Sequence, residues 1–165
     1  MLVGPKGAGK STIGQILAAD LGIHFARVEP IFLDVRARLG AAHPLIETTG
    51  FQAVLGALRA ALGVHDIVCF ETSGASAHVP WLLDALRQEA SVRLIRVLAV
   101  PDQCLARIRS RDASIHIPVP KEQIERINAI ADAVVLPWAA EIDNRGPLDR
   151  ASIVSTVRNL LTPGA

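Results

Sequence analysis

The chain has 165 residues, of which half are hydrophobic and 20% are charged. This length and composition are typical of one folded domain and exclude a disordered chain. The 17 basic and 16 acidic side chains leave a formal net charge of +1, which gives no indication of nucleic acid or a membrane surface as a partner. The two cysteines lack zinc-ligand spacing, and no apolar segment is long enough to span a bilayer. We therefore expect a soluble cytoplasmic protein with one domain over residues 1–165.

The first element is a short apolar strand, Leu2-Val3, and a glycine-rich segment from Gly4 to Ser11 follows it at once. The segment reads Gly-Pro-Lys-Gly-Ala-Gly-Lys-Ser, which matches the phosphate-binding P-loop, and a helical apolar pattern comes after it. Glycines let successive backbone N–H groups point at one anion, and the dipole of the next helix adds to that attraction. The segment predicts a nucleotide site in which Lys10 reaches the β- and γ-phosphates and the Ser11 hydroxyl ligates Mg²⁺.

Strand and helix patterns alternate through the rest of the chain. Further strands are predicted at about residues 24–29, 65–70, 92–100 and 138–143, and helices at about 10–21, 30–39, 50–62, 79–89, 101–111, 121–133 and 149–161. This alternation predicts a parallel sheet with helices on both faces. Ligands of such sheets bind at the carboxyl ends of the strands. The P-loop, Glu29, Glu71 and the arginines beyond Val100 all follow predicted strands, so we expect them to share one cleft.

Several classes of P-loop protein are disfavoured by the sequence. It contains no Asn-Lys-x-Asp guanine motif, which disfavours a Ras-like GTPase. It contains no ordinary Walker-B strand ending in aspartate, because the apolar strand at 67–70 is followed by Glu71. The chain is also too short for an ATPase module with a helical lid domain.

The arrangement instead resembles the small-metabolite kinases of the shikimate kinase and gluconate kinase type, within the nucleoside-monophosphate-kinase-like group. The resemblance is carried by three segments, of which the first is the P-loop with Ser11-Thr12. The segment 45–52 is similar to the start of the family's substrate-binding helix. The segment 71–75 stands where the family has a glycine-rich substrate loop. It implies a three-layer α/β/α P-loop fold with a five-stranded parallel sheet in the order 2-3-1-4-5. It also implies a small lid at about residues 109–120.

The resemblance and the loop together give a set of expected site residues. The expected ATP contacts are Gly4, Pro5, Lys6, Gly7, Ala8, Gly9, Lys10, Ser11, Thr12, Arg107 and Asn144, the last in a turn that borders the adenine in the family. The expected catalytic residues are Lys10, Glu29, Glu71, Arg109 and Arg111. Glu29 is our first choice for the carboxylate that orients the acceptor hydroxyl or accepts its proton, and Glu71 is the second. Glu71 can alternatively contact Mg²⁺ through water, so Ser11 and Glu71 are the expected metal residues.

The sequence departs from shikimate kinases where that family binds its acceptor. The family's Asp-x-Asp after the second strand is replaced by Arg27-Val28-Glu29, and the arginine that grips the substrate carboxylate is replaced by Gln52. We therefore expect an acceptor other than shikimate.

Two other functions stay open at this point. One is a nucleoside or nucleotide kinase, which the low aromatic content of 4% disfavours. The other is a nucleotide-binding regulatory ATPase with no small-molecule acceptor. In the leading hypothesis ATP and Mg²⁺ are required, the partner is a small-molecule phosphate acceptor, and the protein is a monomer or a homodimer.

Overall fold

Strands and helices alternate in a computed structural model that describes residues 1–110, 117 and 119–162. The elements in chain order are β1 (Leu2–Val3), α1 (Lys10–Leu21), β2 (His24–Ala26), α2 (Glu29–Leu39), α3 (Ile46–Leu62), β3 (Val68–Thr72), α4 (Val79–Arg87), β4 (Ile95–Leu98), α5 (Pro101–Arg109), α6 (Lys121–Ala133), β5 (Ala140–Asp143) and α7 (Arg150–Leu161). Within these residues, no helix is both long and apolar enough to cross a membrane.

The five strands form one parallel sheet in the order β2-β3-β1-β4-β5. This confirms the order 2-3-1-4-5 and the three-layer α/β/α P-loop fold. The two-residue β1 occupies the centre, where Leu2 lies opposite both Glu71 of β3 and Ile95 of β4. The carboxyl ends of β1 and β3 are therefore adjacent, which brings the P-loop and Glu71 to the same edge of the sheet.

The sheet separates two apolar clusters, and successive residues of β1 enter different ones. Leu2 packs in the first cluster with residues of α1 and α7, whereas Val3 packs in the second with residues of α3 and α4. Leu2 is 0% exposed and Val3 is 1% exposed. Alternation of side chains along a strand explains this division, and the short central strand is thus buried on both faces as a parallel strand should be.

Several predicted element bounds are wrong by a few residues. The strand predicted at 65–70 is shifted to Val68–Thr72, and the long strand predicted at 92–100 is only Ile95–Leu98. The helix predicted from residue 50 begins at Ile46. The shift of β3 matters for function, because it places Glu71 inside the strand next to the P-loop rather than after it.

Both cysteines are buried free thiols. Cys69 lies in β3, where burial raises the pKa of its thiol to about 11. A thiol with so high a pKa stays protonated at neutral pH and is a poor nucleophile. Cys69 is therefore a core residue, as its apolar surroundings in the sequence predict.

Candidate active site

The P-loop joins β1 to α1, and two glycines in the left-handed region determine its shape. Gly7 has a φ of 85° and Gly9 a φ of 89°. A Cβ atom on Gly7 would lie 2.3 Å from the carbonyl oxygen of Cys104, and one on Gly9 would lie 2.5 Å from Nδ2 of Asn144. Side chains cannot be accommodated at either position. The close approach of α5 and of the turn after β5 therefore depends on these glycines.

Two buried asparagines hold the backbone of the loop. Asn128 of α6 accepts a hydrogen bond from the backbone N of Lys6 at 2.7 Å and donates one to the carbonyl oxygen of Lys6 at 3.1 Å. Asn144, after β5, donates to the carbonyl oxygen of Ala8 at 2.7 Å. Asn128 is 7% exposed and Asn144 is 3% exposed. The loop is thus tied to two distant segments of the chain.

These contacts alter the role expected for Asn144 and add Asn128. The side chain of Asn144 is buried against the P-loop and supports its backbone. The turn around it is fixed by Arg145, whose hydrogen bonds to Asp143 lower the pKa of that carboxyl to about 2. Asn128 was not predicted, although a polar residue on the buried face between Ile124 and Ala131 could have indicated it.

Lys10 is buried at the start of α1. Its Nζ donates to the carbonyl oxygen of Gly4 at 2.8 Å and to that of Pro5 at 2.7 Å. Only 8% of the residue is exposed. The ammonium is therefore held by the loop that precedes its own helix, among the backbone groups that define the predicted phosphate site.

Ser11 and Glu71 form a polar contact between the start of α1 and β3. The hydroxyl of Ser11 donates to Oε1 of Glu71 at 2.7 Å. A hydroxyl and a carboxylate are hard oxygen donors of the kind that Mg²⁺ prefers, and Mg²⁺ commonly uses only one or two protein oxygens together with phosphates. The residues present therefore fit Mg²⁺. In the described part of the chain, no group of three or more His, Cys, Asp or Glu residues could hold a metal on its own.

A cavity of about 280 Å³ lies beside these groups. On the P-loop side it is lined by Lys6, Gly7, Gly9, Lys10, Ser11 and Glu71. Its remaining wall includes Glu29, Phe32, Glu47, Phe51, Ser76 and Ile117. Another cavity, of about 320 Å³, is lined by residues such as Met1, Ile67 and Arg93 at the amino ends of the strands. Sheets of this kind bind ligands at the carboxyl ends, so the smaller cavity is the candidate active site.

The two predicted carboxylates lie in this cavity on different elements. Glu71 belongs to β3, whereas Glu29 is the first residue of α2. Oε1 of Glu29 accepts a hydrogen bond from the backbone N of Ile117 at 3.0 Å. Ile117 belongs to the predicted lid, so Glu29 contacts that segment at Ile117.

A third carboxylate, that of Glu47, was not predicted as a site residue. Glu47 lies in the first turn of α3 and its Oε1 accepts a hydrogen bond from Oγ of Ser76 at 2.6 Å. Ser76 comes directly after the segment 71–75, which stands in place of the family's substrate loop. The resemblance indicated the segments 45–52 and 71–75 but not the contact between these two side chains.

Of the three arginines predicted to contact phosphate, the structure places Arg107 against the P-loop. Nη1 of Arg107 lies 3.4 Å from the carbonyl oxygen of Gly7. Arg109 is the last residue of α5 and is exposed. Arg111 lies outside the described residues, as does most of the lid predicted at 109–120. Thr12, also predicted to contact ATP, is exposed on α1.

Of the positions that depart from shikimate kinases, Arg27 and Gln52 lie away from the cavity wall, whereas Val28 and Glu29 line it. Arg27 and Gln52 are both exposed, and neither belongs to the lining. Phe51, the neighbour of Gln52, also lines the cavity.

Comparison with known proteins agrees with this geometry. The shikimate kinase of Chromohalobacter salexigens is 31% identical over 171 residues, covering 96% of this chain and 89% of that protein. The shikimate kinase of Pseudomonas fluorescens is 30% identical over 159 residues, covering 89% of this chain and 88% of that protein. No protein-family model matches the chain.

Solved structures show the same fold. A putative kinase from Chloroflexus aurantiacus superposes with a TM-score of 0.72 at 22% identity, covering 99% of this chain and 96% of that one. The two sequence relatives thus cover 96% and 89% of this chain. The chain is a kinase and belongs to the shikimate kinase family of P-loop small-molecule kinases.

Proposed function

We propose that this kinase transfers the γ-phosphoryl group of ATP, in a Mg²⁺-dependent reaction, to a hydroxyl group of a small metabolite other than shikimate. The observation that carries the proposal is the single cavity lined both by Lys10 and Ser11 of the P-loop and by the carboxylate of Glu29. Phosphoryl transfer needs a donor site and an acceptor oxygen in line, with charge neutralised between them. A cavity with phosphate-binding groups and a separate carboxylate meets that need.

The donor is held by the P-loop in this proposal. Backbone N–H groups of the loop and the amino end of α1 surround the phosphates. The ammonium of Lys10 moves from the carbonyl oxygens of Gly4 and Pro5 to the β- and γ-phosphates. Arg107, beside Gly7, adds a positive charge at the nucleotide, and Asn128 and Asn144 keep the loop in shape.

Ser11 and Glu71 are the residues that would hold Mg²⁺, Ser11 directly and Glu71 directly or through water. When bound, Mg²⁺ supplies neutralisation of the phosphate charge. The hydrogen bond from Ser11 to Glu71 supports this assignment, because it already brings the two oxygen donors together. It also favours Glu29 over Glu71 as the acceptor-side carboxylate.

Glu29 orients the acceptor hydroxyl and takes its proton. The hydroxyl oxygen forms a bond to the γ-phosphorus while the bond between that phosphorus and the β–γ bridging oxygen breaks. ADP leaves with the electron pair, and the proton passes to the carboxylate of Glu29. Arg109 and Arg111 stay predicted lid contacts to the transferring group. ATP is an intracellular substrate, which supports a cytoplasmic location.

The proposal is tested by measuring ADP release with and without a panel of sugars, sugar acids, nucleosides and amino alcohols. We expect at least one acceptor to raise turnover well above basal hydrolysis. The substitution Glu29→Gln should lower acceptor-dependent kcat by roughly a hundredfold, the lower end of the range for general bases. The glutamine can still accept the hydrogen bond from Ile117, so the fold should be preserved.

The matched control is Glu89→Gln, which removes an exposed carboxylate paired with Arg59 on the surface and should leave turnover unchanged. ATP hydrolysis that no acceptor stimulates would contradict the kinase reaction and favour a regulatory ATPase. Stimulation by nucleosides alone would favour a nucleoside kinase.

A further inference from the structure

We propose that the acceptor is an amino alcohol with an apolar body, rather than a hydroxy acid. This inference rests on the proposed function and names the substrate class of the same cavity. Three observations carry it: the signs of the charges that line the cavity, the fixed position of Glu47, and the aromatic wall formed by Phe32 and Phe51.

The charges in the cavity are divided between its two sides. Among the described residues that line it, the cations are Lys6 and Lys10, and both belong to the P-loop. The wall away from the P-loop carries the carboxylates of Glu29 and Glu47. A carboxylate on the acceptor would be desolvated beside like charges, which is costly. An ammonium group would meet opposite charge.

Glu47 is placed to bind such an ammonium group. Its Oε1 accepts a hydrogen bond from Oγ of Ser76 at 2.6 Å, and Oγ of Ser76 in turn accepts one from the backbone N of His78 at 3.1 Å. The carboxylate is thus oriented by a second segment of the chain, and an ionised carboxylate has further acceptor capacity. A carboxylate whose only role was to interact with the dipole of α3 would not need a hydrogen bond from Ser76.

The wall next to Glu47 is aromatic. Phe32 and Phe51 meet edge to face with ring centroids 5.4 Å apart and an interplanar angle of 82°. Phe32 reaches this position because Gly50 has no side chain, since a Cβ atom there would lie 2.2 Å from the Phe32 ring. Aromatic rings bind apolar groups, and their faces attract ammonium groups. An apolar body carrying a cation therefore fits this wall better than a polyol does.

The reaction on such an acceptor keeps the amine unchanged. The hydroxyl oxygen attacks the γ-phosphorus of ATP, ADP leaves, and the hydroxyl proton passes to Glu29, so the product is an amino-alkyl phosphate ester. The ammonium group bound at Glu47 orients the molecule and takes no part in bond formation.

The test compares acceptors that share a skeleton and differ in one group. Phenylethanolamine, phenylethylene glycol and mandelate form an aromatic set, and aminobutanol, butanediol and hydroxybutyrate form an aliphatic set. We expect kcat/KM to be at least tenfold higher for the amine than for the acid within a set. Phosphate ester formation, measured by mass spectrometry, separates transfer from hydrolysis.

The variant Glu47→Gln removes the charge but retains an acceptor for Ser76. We expect it to raise the KM of the amino alcohol about fivefold, as for a partly solvated ion pair, and to raise the KM of the neutral diol less. The matched control is Glu122→Gln, because Glu122 is also an exposed acid in the first turn of a helix, α6. It should change neither constant.

The possible outcomes separate this inference from the proposed function. Transfer to hydroxy acids or diols in preference to amino alcohols would overturn the inference and leave the kinase reaction intact. An equal KM change for the amine and the diol in Glu47→Gln would also overturn it, because that result indicates a structural role. ADP release that none of these acceptors or the wider panel stimulates would overturn both proposals.

Discussion

The two halves of the cavity are built in different ways. The donor half, formed by residues 4–11 and Glu71, consists mostly of backbone groups held by buried side chains such as Asn128 and Asn144. The acceptor half, formed by Glu29, Phe32, Glu47, Phe51, Ser76 and Ile117, consists of individual side chains from separate elements. Of its polar contacts, the one between Glu47 and Ser76 is exposed, whereas the one between Glu29 and Ile117 is partly buried.

This difference indicates which half can vary without a change of fold. Backbone N–H groups recognise any triphosphate, so a loop of fixed shape serves every P-loop enzyme. An acceptor is recognised by side chains of suitable charge and shape, which change without altering the fold. The predictions below perturb each half in turn, starting with the donor half, where the effects should be largest.

Removal of the Lys10 ammonium should have the largest effect. We expect Lys10→Ala to lower kcat by at least roughly a thousandfold, because the charge that meets the γ-phosphate is lost. Turnover is measured by ADP release, and circular dichroism checks that the fold is retained. Lys121→Ala is the control, since Lys121 is a surface residue 3.5 Å from Glu125. Unchanged turnover in Lys10→Ala would contradict the P-loop mechanism.

Loss of a side chain that supports the P-loop should lower activity less than loss of the Lys10 charge. Asn128→Ala leaves the N–H and carbonyl groups of Lys6 without their buried partner, which should destabilise the protein by about 2 kcal/mol. We expect the melting temperature to fall by roughly 4–8 °C and the KM for ATP to rise about tenfold, because a loosened loop binds phosphate less well. The KM for the acceptor should change little, which distinguishes the two halves.

Asn159→Ala is the control for this variant, because Asn159 is exposed on α7 and should affect neither stability nor KM. An Asn128→Ala enzyme with the melting temperature and ATP affinity of the parent would show that the loop keeps its shape without α6.

The same difference between the halves determines what the sequence could predict. The P-loop and the parallel sheet follow from a local motif and from periodicity, and the site at the carboxyl ends follows from the topology. The strand order was implied by the resemblance to a known family. Glu71 was identified because it comes directly after an apolar run. Asn128 was missed because its partner, Lys6, is 122 residues away, and a polar residue on the buried face of α6 does not by itself identify that partner.

The acceptor half was harder to predict for a related reason. The importance of Glu47 depends on its hydrogen bond to Ser76, 29 residues away, and that of Phe32 depends on the close approach of α2 and α3 at Gly50. The predicted start of a helix was also wrong where no turn residue marks it, as at Ile46 of α3. The residues that recognise an acceptor can therefore be identified only when the tertiary packing is known.

The smallest effect should come from a change of shape in the acceptor half. In Gly50→Ala the new methyl group would meet the Phe32 ring at 2.2 Å, so the ring, which lines the cavity, must move. We expect the KM of the acceptor to rise about threefold with the KM for ATP unchanged. Gly56→Ala is the matched control, because Gly56 lies in the same helix with no neighbouring atom within 4 Å among the described residues. That variant should stabilise α3 by about 0.5–1 kcal/mol without changing either KM. A parallel rise in the KM for ATP in Gly50→Ala would show that the two halves are coupled rather than separately built.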